Sequence, residues 1–280
     1  AKGLIAHGVR PGSPVAILAK TRYEWTVLDY AVWWLGAISV PIYETSSASQ
    51  ISWILRDSAT THLFYESDEH RERVDTIRPD APLLTEVLPI STVLTDLAHI
   101  GESVSDETLE GFRSALSSET IATIIYTSGT TGDPKGCQLT HGNFRAELDG
   151  AHQMLGELFD RDDASTLLFL PLAHVFARII QVGAIRWGAI LSHAPDIREL
   201  TDRLDEVKPT FLLAVPRVFE EIFNAASNQA WADGKGRTFD SAARTAIAWS
   251  RAIEDGRSPS LALRSKHSLY SKLIYSKIRA

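Results

Sequence analysis

The chain has 280 residues, 44% of them hydrophobic and 22% charged, an ordinary composition for one large globular domain or two smaller ones. Its formal net charge of -7 argues against general nucleic-acid binding. The single cysteine, Cys137, cannot form an intramolecular disulfide, which fits a reducing compartment, and no apolar run has the length of a membrane span or the layout of a secretory leader.

After the turn from Arg10 to Pro14, residues 15–19 read as a buried strand. Trp25, Leu28, Val32 and Leu35 stand at helical spacing and predict a buried helix over 24–36. Strands over 39–43 and 61–65 flank a helix over 49–58, with Ile51, Ile54 and Leu55 on one face. This alternation predicts an α/β fold, a mostly parallel sheet covered by helices on both faces. Residues 66–118 are more polar and read as helix and loop, with a weak strand near 83–88; the charged run from Asp68 to Arg73 reads as a solvated helix face. Beyond it the patterns predict helices over 143–158, 175–186 and 197–207 and strands over 166–170, 189–193 and 210–215. A helix starts at Val218, residues 226–240 read as a mobile loop, and helices over about 241–254 and 261–280 follow. Subdomains of 1–118 and 119–280 are expected. Both ends read as interior to a longer protein, since the first residues look like the last turns of a helix and the last lack a stop signal.

The most informative stretch is the run from Tyr126 to Gly136, preceded by the β-branched strand pattern of 121–126. Glycines at 129, 132 and 136 allow φ > 0 and close backbone approach, so successive N–H groups can form an anion nest. Thr127, Ser128, Thr130 and Thr131 add hydroxyl donors, and Lys135 adds a mobile positive charge suited to phosphate. The run is not the common P-loop, because Pro134 stands where that pattern needs glycine and Gly136 where it needs Ser or Thr. Cys137 has no evident base beside it and reads as a buried strand cysteine. Farther on, His174 lies just past a strand end, where ligands gather in open α/β sheets.

The run from Tyr126 to Gly136 resembles the signature of the adenylate-forming (AMP-binding) superfamily, which includes acyl-CoA synthetases, luciferases and the adenylation domains of peptide synthetases. Residues 169–178 resemble its next motif, in which a His or aromatic residue lies beside the acyl carboxylate; Ala177 stands where many long-chain members carry Glu. Residues 213–222 and 271–279 also look like the long-chain fatty acid–CoA ligases of bacteria. The resemblance implies the N-terminal part of the adenylate-forming fold and a two-step reaction. A fatty-acid carboxylate attacks the α-phosphate of ATP, and the acyl-adenylate is then cut by the thiol of coenzyme A. It implies Lys135 and His174 as catalytic residues. It implies nucleotide contacts from Thr127, Ser128, Gly129, Thr130, Thr131, Gly132 and Lys135, with Thr127 also serving Mg²⁺.

The superfamily's adenine motif (Tyr-Gly-x-Thr-Glu), its ribose-binding Asp, its hinge and its C-terminal domain with a catalytic Lys are not found in residues 1–280. The expectation is therefore a partial N-terminal domain, inactive alone and prone to self-association through the sheet surface left bare. Two alternatives stand beside it: an adenylating enzyme for another carboxylic acid, and a non-catalytic nucleotide- or lipid-binding module. The expected location is cytoplasmic. Residues 261–280 carry Arg264, Lys266, Lys272, Lys277 and Arg279 beside Leu269, Leu273 and Ile274, a basic amphipathic pattern that suits peripheral contact with an anionic membrane.

Overall fold

The computed structural model describes residues 1–127, 133–196 and 200–275, excepting the side chain of Thr201. The chain divides into two compact units, Ala1–Leu213 and Ala214–Ala280.

The first unit is built on a six-stranded sheet. Its strands are β1 (Pro14–Leu18), β2 (Ile38–Ile42), β3 (His62–Tyr65), β4 (Glu86–Pro89), β5 (Ile121–Thr127) and β6 (Lys135–Thr140), in the order β4-β3-β1-β2-β5-β6. All pairings are parallel except that of β5 with β6. α1 (Lys2–Ala6) precedes the sheet. Parallel neighbours need long crossovers, and helices supply them: α2 (Tyr23–Trp34), α3 (Ala48–Asp57), α4 (Asp68–Ile77), α5 (Val93–Gly101) and α6 (Asp106–Ser114). Side chains alternate across a strand, so β1 feeds two cores. Val15 and Ile17 join Trp25, Leu28 and Val32 of α2, while Ala16 and Leu18 join Ile51, Ile54 and Leu55 of α3 and Val74 and Ile77 of α4. The sheet is thus covered on both faces, as the apolar runs predict. Because β5 pairs with β2, a single sheet runs across the expected 118/119 boundary.

Local signals account for several helix starts. Ser47 and Gln50 form a reciprocal capping box at α3, as do Thr140 and Asn143 at α7 (His141–Phe159). The unit continues through β7 (Ser165–Leu168), α8 (Val175–Arg186), β8 (Ile190–His193) and α9 (Leu200–Val207), with β7 and β8 in a parallel pair. Residues 197–199, expected to open α9, lie outside the described residues. The run of 68–73 does sit on a helix, α4, with Arg71 paired to Asp75 at 2.8 Å and His70 turned inward.

Two expectations fail here. Residues 210–215 form no strand. The N–H groups of Thr210 and Phe211 both converge on Ser165 O, at 3.0 and 3.2 Å, so the alternating pattern of a ladder never begins. Nor are residues 226–240 a loop. In the second unit α10 (Pro216–Ala232) runs through alanine-rich sequence to a short turn at Gly234 (φ 72°), and α11 (Gly236–Glu254) starts at once. Gly236 permits that tight reversal, since a Cβ there would sit 2.1 Å from the Trp231 ring. Then come α12 (Leu261–Tyr270) and a π-type turn, Ser271–Tyr275. Trp249 stacks on His267 at 4.1 Å, and the Tyr270 hydroxyl donates to Ser241 Oγ at 2.9 Å, fastening α12 to α11.

Candidate active site

β5 is buried from Ala122 to Tyr126, and its last residue, Thr127, is exposed at the carboxyl end of the sheet. Chain direction reverses beyond it, and Lys135 returns as the register partner of Thr127 at the start of β6. Paired residues of antiparallel strands lie on one face with Cβ atoms about 5 Å apart. The exposed Lys135 ammonium and the Thr127 hydroxyl therefore share one face at the mouth of the β5–β6 turn. Ser128, Gly129, Thr130, Thr131 and Gly132 lie outside the described residues.

Beside this turn is a cavity of about 430 Å³. Its wall includes Tyr43 and Ser46 from the segment after β2, Gln50 and Ile54 of α3, Thr127 of β5, and His174. It lies at the carboxyl ends of β2 and β5, where an open α/β sheet receives ligands. Lys135 is not part of that wall; its neighbour Pro134 is. α4 fixes the segment after β2. His70 Nε2–H donates to Glu44 O at 3.0 Å, and Arg73 donates to Glu44 O and Ser46 O at 3.0 and 2.9 Å.

α3 holds the two stems of the turn. Tyr126 donates its hydroxyl to Asp57 Oδ2 at 2.6 Å, and Trp53 donates its indole N–H to Pro134 O at 2.9 Å. Burial, with Asp57 adding to it, pushes the Tyr126 phenol well up. Gly136 departs from the expected role. It has no positive φ; it is an extended strand residue whose missing side chain admits the Tyr126 ring, since a Cβ would lie 3.0 Å from Tyr126 Cζ. Cys137 is a strand residue, as expected, but an exposed one. The cause is that β6 is the edge strand and is exposed along most of its length.

His174 enters from the other side. It follows β7 and caps the start of α8, with Nδ1 accepting the Phe176 N–H at 3.2 Å. A ring nitrogen that accepts carries no proton, so neutral His174 bears its hydrogen on Nε2. The connection from β7 is pinned by the Thr21 hydroxyl, which donates to Leu170 O at 2.6 Å.

Behind His174 lies a buried polar network that the sequence reading missed. Arg178 and Asp29 form an ion pair at 2.9 Å with both side chains 0% exposed. Arg178 also donates to Ser39 Oγ at 3.1 Å and to Thr123 Oγ1 at 3.4 Å, linking α8 to α2, β2 and β5. Its guanidinium carbon lies 5.0 Å from the Trp25 ring and 5.1 Å from the Trp33 ring, within cation–π range. The direction of the remaining bonds follows from their donors. Gln181 Nε2 donates to Asp29 Oδ2 at 2.9 Å, which leaves Gln181 Oε1 to accept the Thr26 hydroxyl proton at 3.1 Å. Thr26 Oγ1 must then accept from His193 Nε2–H at 2.8 Å. Burial pushes the Asp29 carboxyl up and the Arg178 guanidinium down, and it lowers His193 to about 4 against the opposing pull of Glu24. The available signal was a lone Asp and a lone Arg inside otherwise apolar helix patterns, Leu28–Trp33 and Val175–Ile180.

Among the described residues no group of three or more His, Cys, Asp or Glu side chains is placed to hold a metal ion. The donor set suits a different mode. Mg²⁺ keeps several waters and takes one or two protein oxygens together with substrate phosphates, and the exposed Thr127 hydroxyl beside Lys135 offers one such oxygen.

The family model described as AMP-binding enzyme matches residues 1–261. The long-chain-fatty-acid–CoA ligase FadD15 of Mycobacterium tuberculosis is 45% identical over 284 residues, which cover 100% of this chain and 47% of that protein. The peroxisomal long chain acyl-CoA synthetase 7 of Arabidopsis thaliana is 30% identical over 297 residues, covering 99% of this chain and 40% of that protein. The chain thus spans about half the length of the curated relatives it matches. Among solved structures, the N-terminal domain of FACL13 from Mycobacterium tuberculosis aligns with TM-score 0.65 and 26% identity, over 78% of this chain and 53% of that one. The long-chain-fatty-acid-CoA ligase FadD1 of Archaeoglobus fulgidus shares the fold, with TM-score 0.68 and 24% identity over 82% of this chain and 44% of that one. With its parallel sheet, its glycine- and threonine-rich turn after β5 and these matches, the chain belongs to the AMP-binding enzyme family.

Proposed function

We propose that this chain is part of a long-chain fatty acid–CoA ligase. In the first step a fatty-acid carboxylate oxygen attacks the α-phosphorus of ATP, the bond to the bridging oxygen breaks, and pyrophosphate leaves. In the second the thiolate of coenzyme A attacks the acyl carbonyl carbon and AMP leaves. The observation that carries this reading is the shared cavity. The Thr127 end of β5, the Pro134 stem and His174 converge on one space at the carboxyl edge of the sheet. The substrate class rests on the names of the relatives and on the motifs around His174 and Val215.

Each role follows from local chemistry. Charge grows on phosphate oxygens as pyrophosphate leaves, and the Lys135 ammonium and the N–H groups of 128–132 oppose it. The Thr127 hydroxyl would hold Mg²⁺, which neutralises phosphate charge when bound. His174, with its proton on Nε2, donates to a carboxylate oxygen and orients it toward phosphorus. The reaction suits a cytoplasmic enzyme, and no described helix is long and apolar enough to cross a membrane. Exposed Leu261, Leu269 and Leu273 beside basic residues support peripheral membrane contact through 261–280. Self-association of residues 1–280 is part of the same reading.

The test is ATP–pyrophosphate exchange by the full-length protein, with palmitate, an aryl acid and an amino acid compared. Palmitate-dependent exchange followed by palmitoyl-CoA formation is expected. Exchange driven by another acid would move the assignment to another adenylating enzyme, and no exchange with any acid would reject adenylation.

A further inference from the structure

α3 does more than cover the sheet. Ile51, Ile54 and Leu55 root it in the core at 0%, 5% and 1% exposure. Gln50, near its start, lines the cavity. Trp53 and Asp57 stand four residues apart, so they share one face of the helix. Each reaches a different stem of the β5–β6 turn. Asp57 Oδ2 accepts the hydroxyl of Tyr126, the residue before Thr127. The Trp53 indole donates to the carbonyl of Pro134, the residue before Lys135. The Tyr126 ring lies across Gly136, which follows Lys135, with Cζ 3.0 Å from where a Cβ would be, so the two stems are also coupled to each other.

We propose that Trp53 and Asp57 are positioning residues, which grip both stems of the turn and thereby set where Thr127 and Lys135 meet the phosphates of ATP. The proposal rests on the nucleotide reading given above. β6 is an exposed edge strand bonded on one side only, so its ladder with β5 is the other restraint on the Pro134–Lys135 stem, while β5 is also held by β2. A helix rooted in the core by Ile51, Ile54 and Leu55 is a stiffer reference than an edge strand, and a small displacement of a phosphate-binding group lowers the rate steeply. Neither Trp53 nor Asp57 needs to touch the nucleotide.

The experiment uses single-residue variants of the full-length protein, steady-state pyrophosphate exchange and thermal unfolding. Tyr126→Phe should raise KM for ATP about tenfold or more, since its lost bond is to a carboxylate, and Trp53→Phe about three- to tenfold, since its lost bond is neutral, while KM for palmitate and Tm stay near wild type. Asp57→Asn keeps a neutral acceptor and should raise KM for ATP less than Tyr126→Phe does. Asp57→Ala should match Tyr126→Phe, and the double variant should be no worse than either, since all delete one bond. An unmoved KM for ATP in Tyr126→Phe and Trp53→Phe overturns the positioning role. So does a parallel rise of both KM values with a falling Tm, which would mark a purely structural bond. A wild-type protein without exchange activity overturns the ligase reading and this role together; an active wild type with indifferent variants overturns this role alone.

Discussion

Replacing Arg178 with methionine removes one half of a fully buried ion pair and leaves Asp29 charged in the core. Methionine is close in length and flexible, so cavity formation is a minor part of the change. What is lost is the 2.9 Å bond to Asp29, the bonds to Ser39 and Thr123, and the contacts with the Trp25 and Trp33 rings. Asp29 keeps its bond from Gln181. Breaking a buried pair from one side costs about 3–5 kcal/mol, most of it the penalty of the stranded charge. That origin makes a second expectation. Arg178→Met combined with Asp29→Asn removes the stranded charge and should recover at least ~1.5 kcal/mol of the loss, a coupling that independent sites would not show. Urea unfolding of the full-length protein followed by tryptophan fluorescence is the assay, since Trp25 and Trp33 flank the pair. A single variant within about 1 kcal/mol of wild type at unchanged m would refute the reasoning. A double variant no more stable than the single would show that the stranded charge is not the cause.

Other predictions follow from the site and its surroundings. Lys135→Ala should lower adenylation by about 2–4 kcal/mol of transition-state stabilisation without lowering Tm, because Lys135 is exposed on the edge strand; adenylation within threefold of wild type would sink its role. His174→Ala should slow fatty-acid-dependent pyrophosphate exchange and cost roughly 0.5–1 kcal/mol of stability as a lost helix cap, and an unchanged exchange rate would leave His174 as a cap alone. His193 is held at about 4 in the fold against 6.5 as its ordinary value. The unfolded chain therefore binds its proton first, and stability falls as pH drops from about 6.5 to 4, by at most about 3 kcal/mol from this group. Above that window His193 contributes nothing. His193→Gln should flatten the acid slope in urea titrations run across that range, with Glu24 and Tyr23 as the flanking groups, and an unaltered slope would assign the acid sensitivity elsewhere. Liposome flotation of the full-length protein tests the membrane contact: Lys272→Glu with Lys277→Glu should release it from anionic vesicles, and undiminished flotation would reject a role for 261–280.

Much of this protein was legible from the order of its residues, for a local reason. β1, β2, α2, α3 and α8 are each specified by apolar spacing within a dozen residues, and α8 spans 175–186 as its spacing predicts. The run from Tyr126 to Gly136 carried the resemblance to the AMP-binding family because its glycines, hydroxyls and lysine are contiguous. What the tertiary structure decided depends on partners far apart in the chain. The exposure of Cys137 follows from β6 being the outermost strand, which no local pattern encodes. The missing strand at 210–215 is the converse, a β-rich apolar stretch left without a ladder to join. Arg178 and Asp29 are 149 positions apart, and Trp53 and Pro134 are 81 apart. A charge inside an apolar helix announces a need for a partner, since an unpaired buried charge is so costly; only the folded chain shows which residue answers it.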